Sequence, residues 1–551
     1  MLIVRRPWRR SGWRAAVAVG SALCAAAFLI ALDVAPVAIP TAATGQQPAP
    51  PQGADLEQQA RAVCGSCHAY PPPDILPRGN WRDEIVLMMF IREGRLPPLG
   101  PPGFAFRNVQ LPPDFESVLP FYLKAAPERL PAPDRWPDPG LSKIAFTRRS
   151  LAAPGILGTP AVSHVRLIDL DDDGRLDLVG TDMRHGTVFT GSPGDPAGRL
   201  VEIASVPHPA HASVADVDRD GVRDLLVAEM GEFFPADHAK GAVIWMRGQA
   251  KGKFGAFWLD GWPRVASIDA ADFNADGRPD LAVAAFGWRK TGQVAILENR
   301  TATPSQPAFV THTIDPRTGS IQLVPVDLNR DGRMDFVTLL AQEHETVLAY
   351  INKGSGDFSF ERRVIYAAPH PNWGSSGFEL VDLDKDGDTD VLLTHGDTFD
   401  DGIVKPYHGI QWLENTGGFP FVEHTLAQMP GVHRAQAADL DNDGDLDIVA
   451  AALLAGGSDV DERVLPALVW LEQTAPGTFT RHTIEMGVPR HATLDLGDID
   501  RDGDIDIVTG NFSIGPLDKS SVEVWVNGGK GKTAQLISPR VLKPDPPSAR
   551  R

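Results

Sequence analysis

The sequence predicts a mainly β protein: a seven-bladed β-propeller with a small all-α domain at its N-terminus. Three observations carry this. An acidic loop pattern recurs seven times, starting at Asp169, Asp216, Asp272, Asp327, Asp382, Asp439 and Asp498. Each copy is followed by short apolar runs split by Gly, Asn and Asp, which read as strands. The stretch from 54 to about 126 instead looks helical and contains "CGSCH" at 64–68.

In chain order, residues 1–44 come first. Arg5, Arg6, Arg9, Arg10 and Arg14 precede an apolar run from Ala15 to Leu32, and small residues follow at "PTAATG". A charged start, an apolar middle and a small-residue exit read as an export signal. An uncleaved anchor is the alternative, because 18 apolar residues nearly span a bilayer. Cys24 does not read as a lipidation site, since Leu23 precedes it. Either way the remainder is expected outside the cytoplasm, in the periplasm or at the cell surface, with membrane contact only through this segment. Three cysteines are too few for a disulfide framework.

Residues 45–53 ("GQQPAPPQG") are a linker, and 54–130 form the helical domain. "ADLEQQARAVCGSCH" is a short helix running into the cysteines. "NWRDEIVLMMFIREG" has a cap-like Asn80 and a stop at Gly94, and "PDFESVLPFYLKAAP" is a third helix with Pro120 a candidate kink. In C-x-x-C-H the thiols of Cys64 and Cys67 add to haem vinyl groups, and His68 lies under the iron. A thioredoxin-like pair needs a βαβ context, which is absent. A zinc site needs further Cys or His, and no cysteine follows Cys67 and no histidine lies between His68 and His164. Covalent haem c is therefore expected. The only methionines between those histidines are Met88 and Met89, so the sixth ligand is Met89, ahead of Met88, or the position is open. Core packing is the competing role for both. Residues 131–143 are a Pro-rich second linker.

From 144 to 541 the repeats set the fold. Their starts step by 47, 56, 55, 55, 57 and 59 residues, room for four strands per repeat. "VAILEN", "IQWLEN" and "VEVWVN" are later strands of their repeats. "FTRRSL" at 146–151 resembles "FTRHTI" at 479–484, so the N-terminal side is expected to supply the last blade's fourth strand; "TAQLIS" near the C-terminus competes for that place.

Each loop places side-chain oxygens at positions 1, 3, 5 and 9, with glycine at 6. A hard cation needs six or more oxygens on a sharply curled chain, so Ca2+ is the expected ion. The predicted ligands are Asp169, Asp171, Asp173 and Asp177; Asp216, Asp218, Asp220 and Asp224; Asp272, Asn274, Asp276 and Asp280; and Asp327, Asn329, Asp331 and Asp335. They continue with Asp382, Asp384, Asp386 and Asp390; Asp439, Asp441, Asp443 and Asp447; and Asp498, Asp500, Asp502 and Asp506. Strands rather than helices flank these loops, and an EF-hand's twelfth-position Glu is missing. Twenty-six of the 71 acids occupy these positions, leaving 45 against 52 Lys and Arg, so the ligand positions account for the whole net charge of -19. Asx-rich turns capped by water are the alternative.

The haem segment, the loops and "GDTFDDGIVKPYHGIQWLENTGGF" together resemble FG-GAP/VCBS repeat proteins with an N-terminal cytochrome c-like domain. That resemblance covers roughly residues 60–530 and implies a seven-bladed propeller similar to integrin α-chain heads. It implies no settled reaction, and Asn274 and Asn329 weaken two of the expected calcium sites. Two functions compete. One is electron transfer through the haem, coupled to a substrate or redox partner protein on the propeller. The other is a calcium-dependent platform for glycan or protein with an accessory haem. No quinone cofactor and no nucleic-acid partner are expected. His164, His208, His211, Arg264, Arg317, His370, His433, Arg434, Arg490 and His491 precede or open inner strands and would form a rim, with Lys405, Tyr407 and His408 on a loop. Such a rim suits an anion or a transition metal, or else hydrogen-bonds carbonyls between blades.

Overall fold

The computed structural model describes residues 53–95, 106–140, 142–151, 158–249, 252–354, 356–454, 460–513 and 520–530. The leader with Cys24, and "TAQLIS", lie outside them. No helix among the described residues is long and apolar enough to cross a membrane.

Seven four-stranded antiparallel sheets form the propeller. The innermost strands are β2 (Val162–Ile168), β6 (Pro209–Ala215), β10 (Val265–Ala271), β14 (Ser320–Val326), β18 (Ser375–Val381), β22 (Val432–Ala438) and β26 (His491–Gly497). Neighbouring inner strands touch all the way round the ring. Second strands such as β7 (Asp224–Glu229) and β11 (Asp280–Ala285) are buried along their whole length. This is why they read as unbroken apolar runs rather than alternating ones. Seven apolar clusters hold the ring, one at each seam between adjacent blades. The core is thus distributed between blades, and the axis is left to polar side chains.

The ring closes as the sequence predicts. β1 (Ile144–Leu151) pairs with β28 (Val522–Lys530) as the outer strand of the blade that contains β26. Arg148 fastens this closure, pairing with Glu485 at 2.8 Å and also with the buried Glu523.

The N-terminal segment holds α1 (Gly53–Cys64), α2 (Trp81–Arg92) and α3 (Pro113–Ala125). Trp81 stacks on Tyr122 with centroids 4.0 Å apart, joining α2 to α3. Gly94 ends α2 at φ +63°, the conformation glycine tolerates best. Asn80 does not cap α2 with its side chain; it closes a 3-10 turn, Arg78–Asn80, that runs directly into the helix. Pro120 lies inside α3. The Pro-rich linker is pinned to the ring. Trp136 is buried in the seam between the blades of β18 and β22, and its indole N–H donates to Gln428 O at 3.0 Å.

Candidate functional site

Antiparallel blades send their loops to two ends. The seven acidic loops join first to second strands and share one end. The opposite end gathers second-to-third-strand loops and the turns between blades.

Each acidic loop is built the same way. The glycine at position 6 has φ between +78° and +98°, and its N–H donates to the position 1 carboxylate at 2.7–3.1 Å. Position 4 is also left-handed, from Asp172 to Arg501. The position 9 Asp has a further task. Its Oδ2 accepts the position 2 N–H at 2.9–3.3 Å in all seven loops. In six, Oδ1 accepts an N–H near the end of the third strand at 2.7–2.8 Å. That third-strand residue is often Asn, and its side-chain amide crosses the seam: Asn352 Nδ2 reaches Phe273 O at 2.8 Å, and Asn527 Nδ2 reaches Leu440 O at 2.9 Å. The repeated final Asn of "VAILEN" and "VEVWVN" was the available signal for this staple.

The loops differ in what meets their charge. Carboxylate oxygens of Asp382, Asp384 and Asp390, and of Asp439, Asp441 and Asp447, lie within 4.8 Å of one another. So do those of Asp169, Asp171 and Asp173, and of Asp216, Asp218 and Asp224. Carboxylates this close favour a cation among them. Asp382 Oδ1 is buried without a hydrogen-bond partner, which fits such an ion. Burial pushes Asp447 and Asp506 up to about 7. In the second loop, however, the guanidinium of Arg247, on β8 (Gly241–Gln249), pairs with both Asp218 and Asp220. In the Asn274 and Asn329 loops, Arg278 and Arg333 pair with Asp276 and Asp331. These three loops carry a cation of their own.

Cys64 ends α1, half-buried against the helical core, and Cys67 is exposed; both are free thiols. His68 Nδ1 lies 2.8 Å from Ala69 O. A carbonyl only accepts, so Nδ1 donates here, and Nε2 is the ring nitrogen left to face an iron. Met89 is buried in the core that Cys64 packs against, and Met88 is half-buried. The motif itself fits haem attachment; Met89 serves packing in this arrangement.

The helical domain sits on the end opposite the acidic loops. Ile403 and Tyr407 of the ring pack against its core, and Lys290 Nζ donates to Gly94 O at 3.0 Å. Beneath it lies an enclosed polar cluster from the loop between β19 (Asp390–His395) and β20 (Gly409–Glu414) and its surroundings. Lys405 pairs with Asp401 at 2.8 Å. Burial, then Asp401 and Asp400, pushes Glu84 of α2 up to about 7, and burial pushes Glu345 up to about 8. Trp373 stacks between His395, centroids 4.4 Å apart, and Tyr407, 5.5 Å. Burial lowers His370 to about 4 and His395 to about 3. Sequence reading found His370, Lys405, Tyr407 and His408 but missed Glu84, Glu345, Asp397, Asp400, Asp401, Trp373 and His395.

The predicted rim divides in two. Arg264 donates to Gly287 O, Arg317 pairs with Asp315, and Arg490 pairs with Glu523. His491 bonds Glu485 and Asn511, and His208 bonds Met183 O. These are the rim-fastening roles. His164, His211 and Arg434 lie on inner strands at the axis, and His433 meets Phe399 at 5.9 Å over the mouth. Phe512 joins Phe399 (6.1 Å) and Phe233 (6.2 Å), so phenyl rings from three blades converge there.

A family model described as an FG-GAP-like repeat matches residues 162–227, 272–338 and 327–393. No curated protein matches the chain. Among solved structures, BBS1N in complex with ARL6DN, soaked with lead, is 12% identical with a TM-score of 0.41, covering 73% of this chain and 99% of that one. The same complex soaked with mercury is 13% identical with a TM-score of 0.40, at the same coverage. The chain carries FG-GAP-like repeats folded as a seven-bladed β-propeller, preceded by a small helical segment.

Proposed function

We propose that the chain is an exported, calcium-stabilised binding platform whose ligand-facing end carries a c-type haem. A propeller of FG-GAP-like repeats fits a binding platform. The observation that carries the proposal is the seat of the C-x-x-C-H domain. It lies on the end where Phe234 (75% exposed) and Phe399 (42%) stand near the channel mouth, away from the acidic loops. Exposed aromatic side chains grouped at one opening are a contact surface. Cys64 and Cys67 would tether the haem and His68 would ligate it, supplying one-electron chemistry. The acidic loops, chiefly those starting at Asp169, Asp382, Asp439 and Asp498, would hold Ca2+ and stiffen the ring.

Electron transfer to or from the bound ligand is the second reading. It is favoured because the motif is seated on the platform rather than on a free tether. Protein purified with its haem and offered sugars, alcohols and reduced inorganic ions separates the two. Reduction by one of them supports electron transfer, and binding without reduction supports the platform alone. Cys67→Ala, made with haem-maturation machinery, should lose the doubly linked product; an unchanged pyridine spectrum would remove the haem from the proposal. A methionine–iron band that vanishes in Met89→Ala and survives in Met88→Ala would identify the sixth ligand.

A further inference from the structure

The axial channel encloses a cavity of about 100 Å3 that neither haem nor calcium uses. His164 and Arg166 of β2, His211 and Ser213 of β6, and Asp269 of β10 line it. The two histidines are the third residues of adjacent inner strands, and Asp269 is the fifth residue of the next. Packing of three consecutive blades brings them together.

The His164 and His211 rings lie 4.1 Å apart between centroids, tilted by 52°. An ion about 2.1 Å from an imidazole nitrogen lies about 3.2 Å from the ring centroid, so two imidazoles on one ion stand about 4.5 Å apart at a right angle and about 5.2 Å at a tetrahedral one. The observed rings need to open only slightly to seat an ion. Nδ1 of each ring is buried without a hydrogen-bond partner, as is Ser213 Oγ. Burial first, then the neighbouring His211, Arg434 and Arg166, holds His164 well below its usual range; burial and the two arginines lower His211 to about 3. Neutral imidazole is the state that ligates metals.

Of the other charged groups near the axis, Arg434, Glu379 and Asp495 are already engaged. Arg434 Nη1 donates to Gln322 Oε1 at 3.2 Å and to Phe378 O at 2.9 Å. Glu379 accepts Ala437 N–H at 2.7 Å, and Asp495 accepts from Leu167 N–H at 2.5 Å and Gln436 Nε2 at 3.0 Å. Asp269 accepts only the N–H of Ala270, at 2.9 Å, and forms no ion pair among the described residues. Arg166 and Arg434 stand against Asp269, Glu379 and Asp495 here, with burial pushing Glu379 up to about 7 and Asp269 to about 6.

Two imidazoles and one carboxylate on one cavity suit a borderline divalent transition metal and not calcium, which takes oxygen ligands. We infer that the axial cavity binds one divalent transition-metal ion through His164, His211 and Asp269, with cavity water completing its shell. Neither the haem nor the calcium reading is needed for this.

The test uses the full chain without an affinity tag, as Cys64→Ser/Cys67→Ser, so that the thiols cannot bind the probe. Excess Ca2+ keeps the acidic loops satisfied. The protein is mixed with Zn2+, desalted, and its zinc counted by mass spectrometry. About one Zn2+ per chain should remain in the parent, and His211→Ala should lose nearly all of it. His164→Gln and Asp269→Asn should each weaken zinc retention, about tenfold or more in competition with a chromophoric chelator. Where His211→Ala melts early, His211→Gln replaces it, and Cu2+ bound to the parent should show two nitrogen couplings by electron paramagnetic resonance and one in that variant. No retained zinc in the parent, or zinc and nitrogen couplings unchanged in the His211 variants, would overturn the inference.

Discussion

The two ends of the ring both collect carboxylates, yet they are neutralised differently. At the loop end, acids recur once per blade, accept backbone N–H groups and open to solvent, where a cation can reach them. At the docking end, Glu84, Glu345, Asp397 and Asp401 are crowded under the helical domain with Lys405, and burial raises Glu84 to about 7, Glu345 to about 8 and Asp397 above its usual range. Where acids stay accessible, an ion from solution can reach them; where they are enclosed, burial shifts them toward the protonated form. The loop end also varies within itself, since Arg247, Arg278 and Arg333 pair with ligand-position carboxylates in three of its loops.

The largest test of this contrast is removal of calcium. Four loops held at a hundredfold excess over Kd add about 10 kcal/mol, so chelation should lower the Tm of the full chain by about 10 °C or more. Coincident melts would mean the loops are only turns. Within that effect, Asp441→Ala should cost about 2–3 kcal/mol in calcium, and Asn329→Ala less than about 1, with the gap closing in chelator. Next in size is Arg247→Met. Asp218, with a side chain 2% exposed, would lose its cation, so stability in chelator should fall by about 1–3 kcal/mol. Added Ca2+ should restore most of it; failure to do so would show that the Arg247 loop is not a cation site.

The smallest effect belongs to the docking end. Glu84 titrates higher when docked than its ordinary value of 4.5, so docking takes up a proton. The contact should be strongest below about 4.5 and weaken as pH rises through about 7. Trypsin cleavage after the exposed Arg129 should therefore speed up between pH 6 and 8 relative to an unstructured peptide control, by no more than about tenfold. Glu84→Gln should flatten that rise. An unchanged profile in the variant would place the proton elsewhere.

Much of the loop end was legible because its chemistry is local. Position 1, 3 and 5 acids and the glycine at 6 lie within six residues, so spacing alone specifies the curl. Arg247 was not legible, since it reaches Asp218 from 29 residues away on another strand. Nor was the fastening role of the ninth Asp, whose partner N–H comes from the third strand. At the docking end, Glu84, Glu345, Trp373 and Asp401 meet only when the ring has closed and the helices are seated, so no spacing connects them. The rim histidines were visible as residues, but their division into fasteners and axial groups depends on neighbours from other blades. The linker's composition suggested a spacer, and Trp136 turns it into a fixed strap.

The closing strand has a consequence for how the chain is made. β1 emerges from synthesis first in the ring, but its partner runs from Leu151's mate Val522 to the end of β28. At about 5–20 residues per second, those intervening residues take tens of seconds to appear. Throughout that time the first strand is an unpaired edge, and any other outer-strand edge is a wrong mate for it. Arg148, which pairs with Glu485 and Glu523, and Arg149, which donates to Asp195 O, favour the correct mate. Assembly is thus timed by the last blade, and truncation before residue 522 would leave six finished blades and an open seam on either side of the gap.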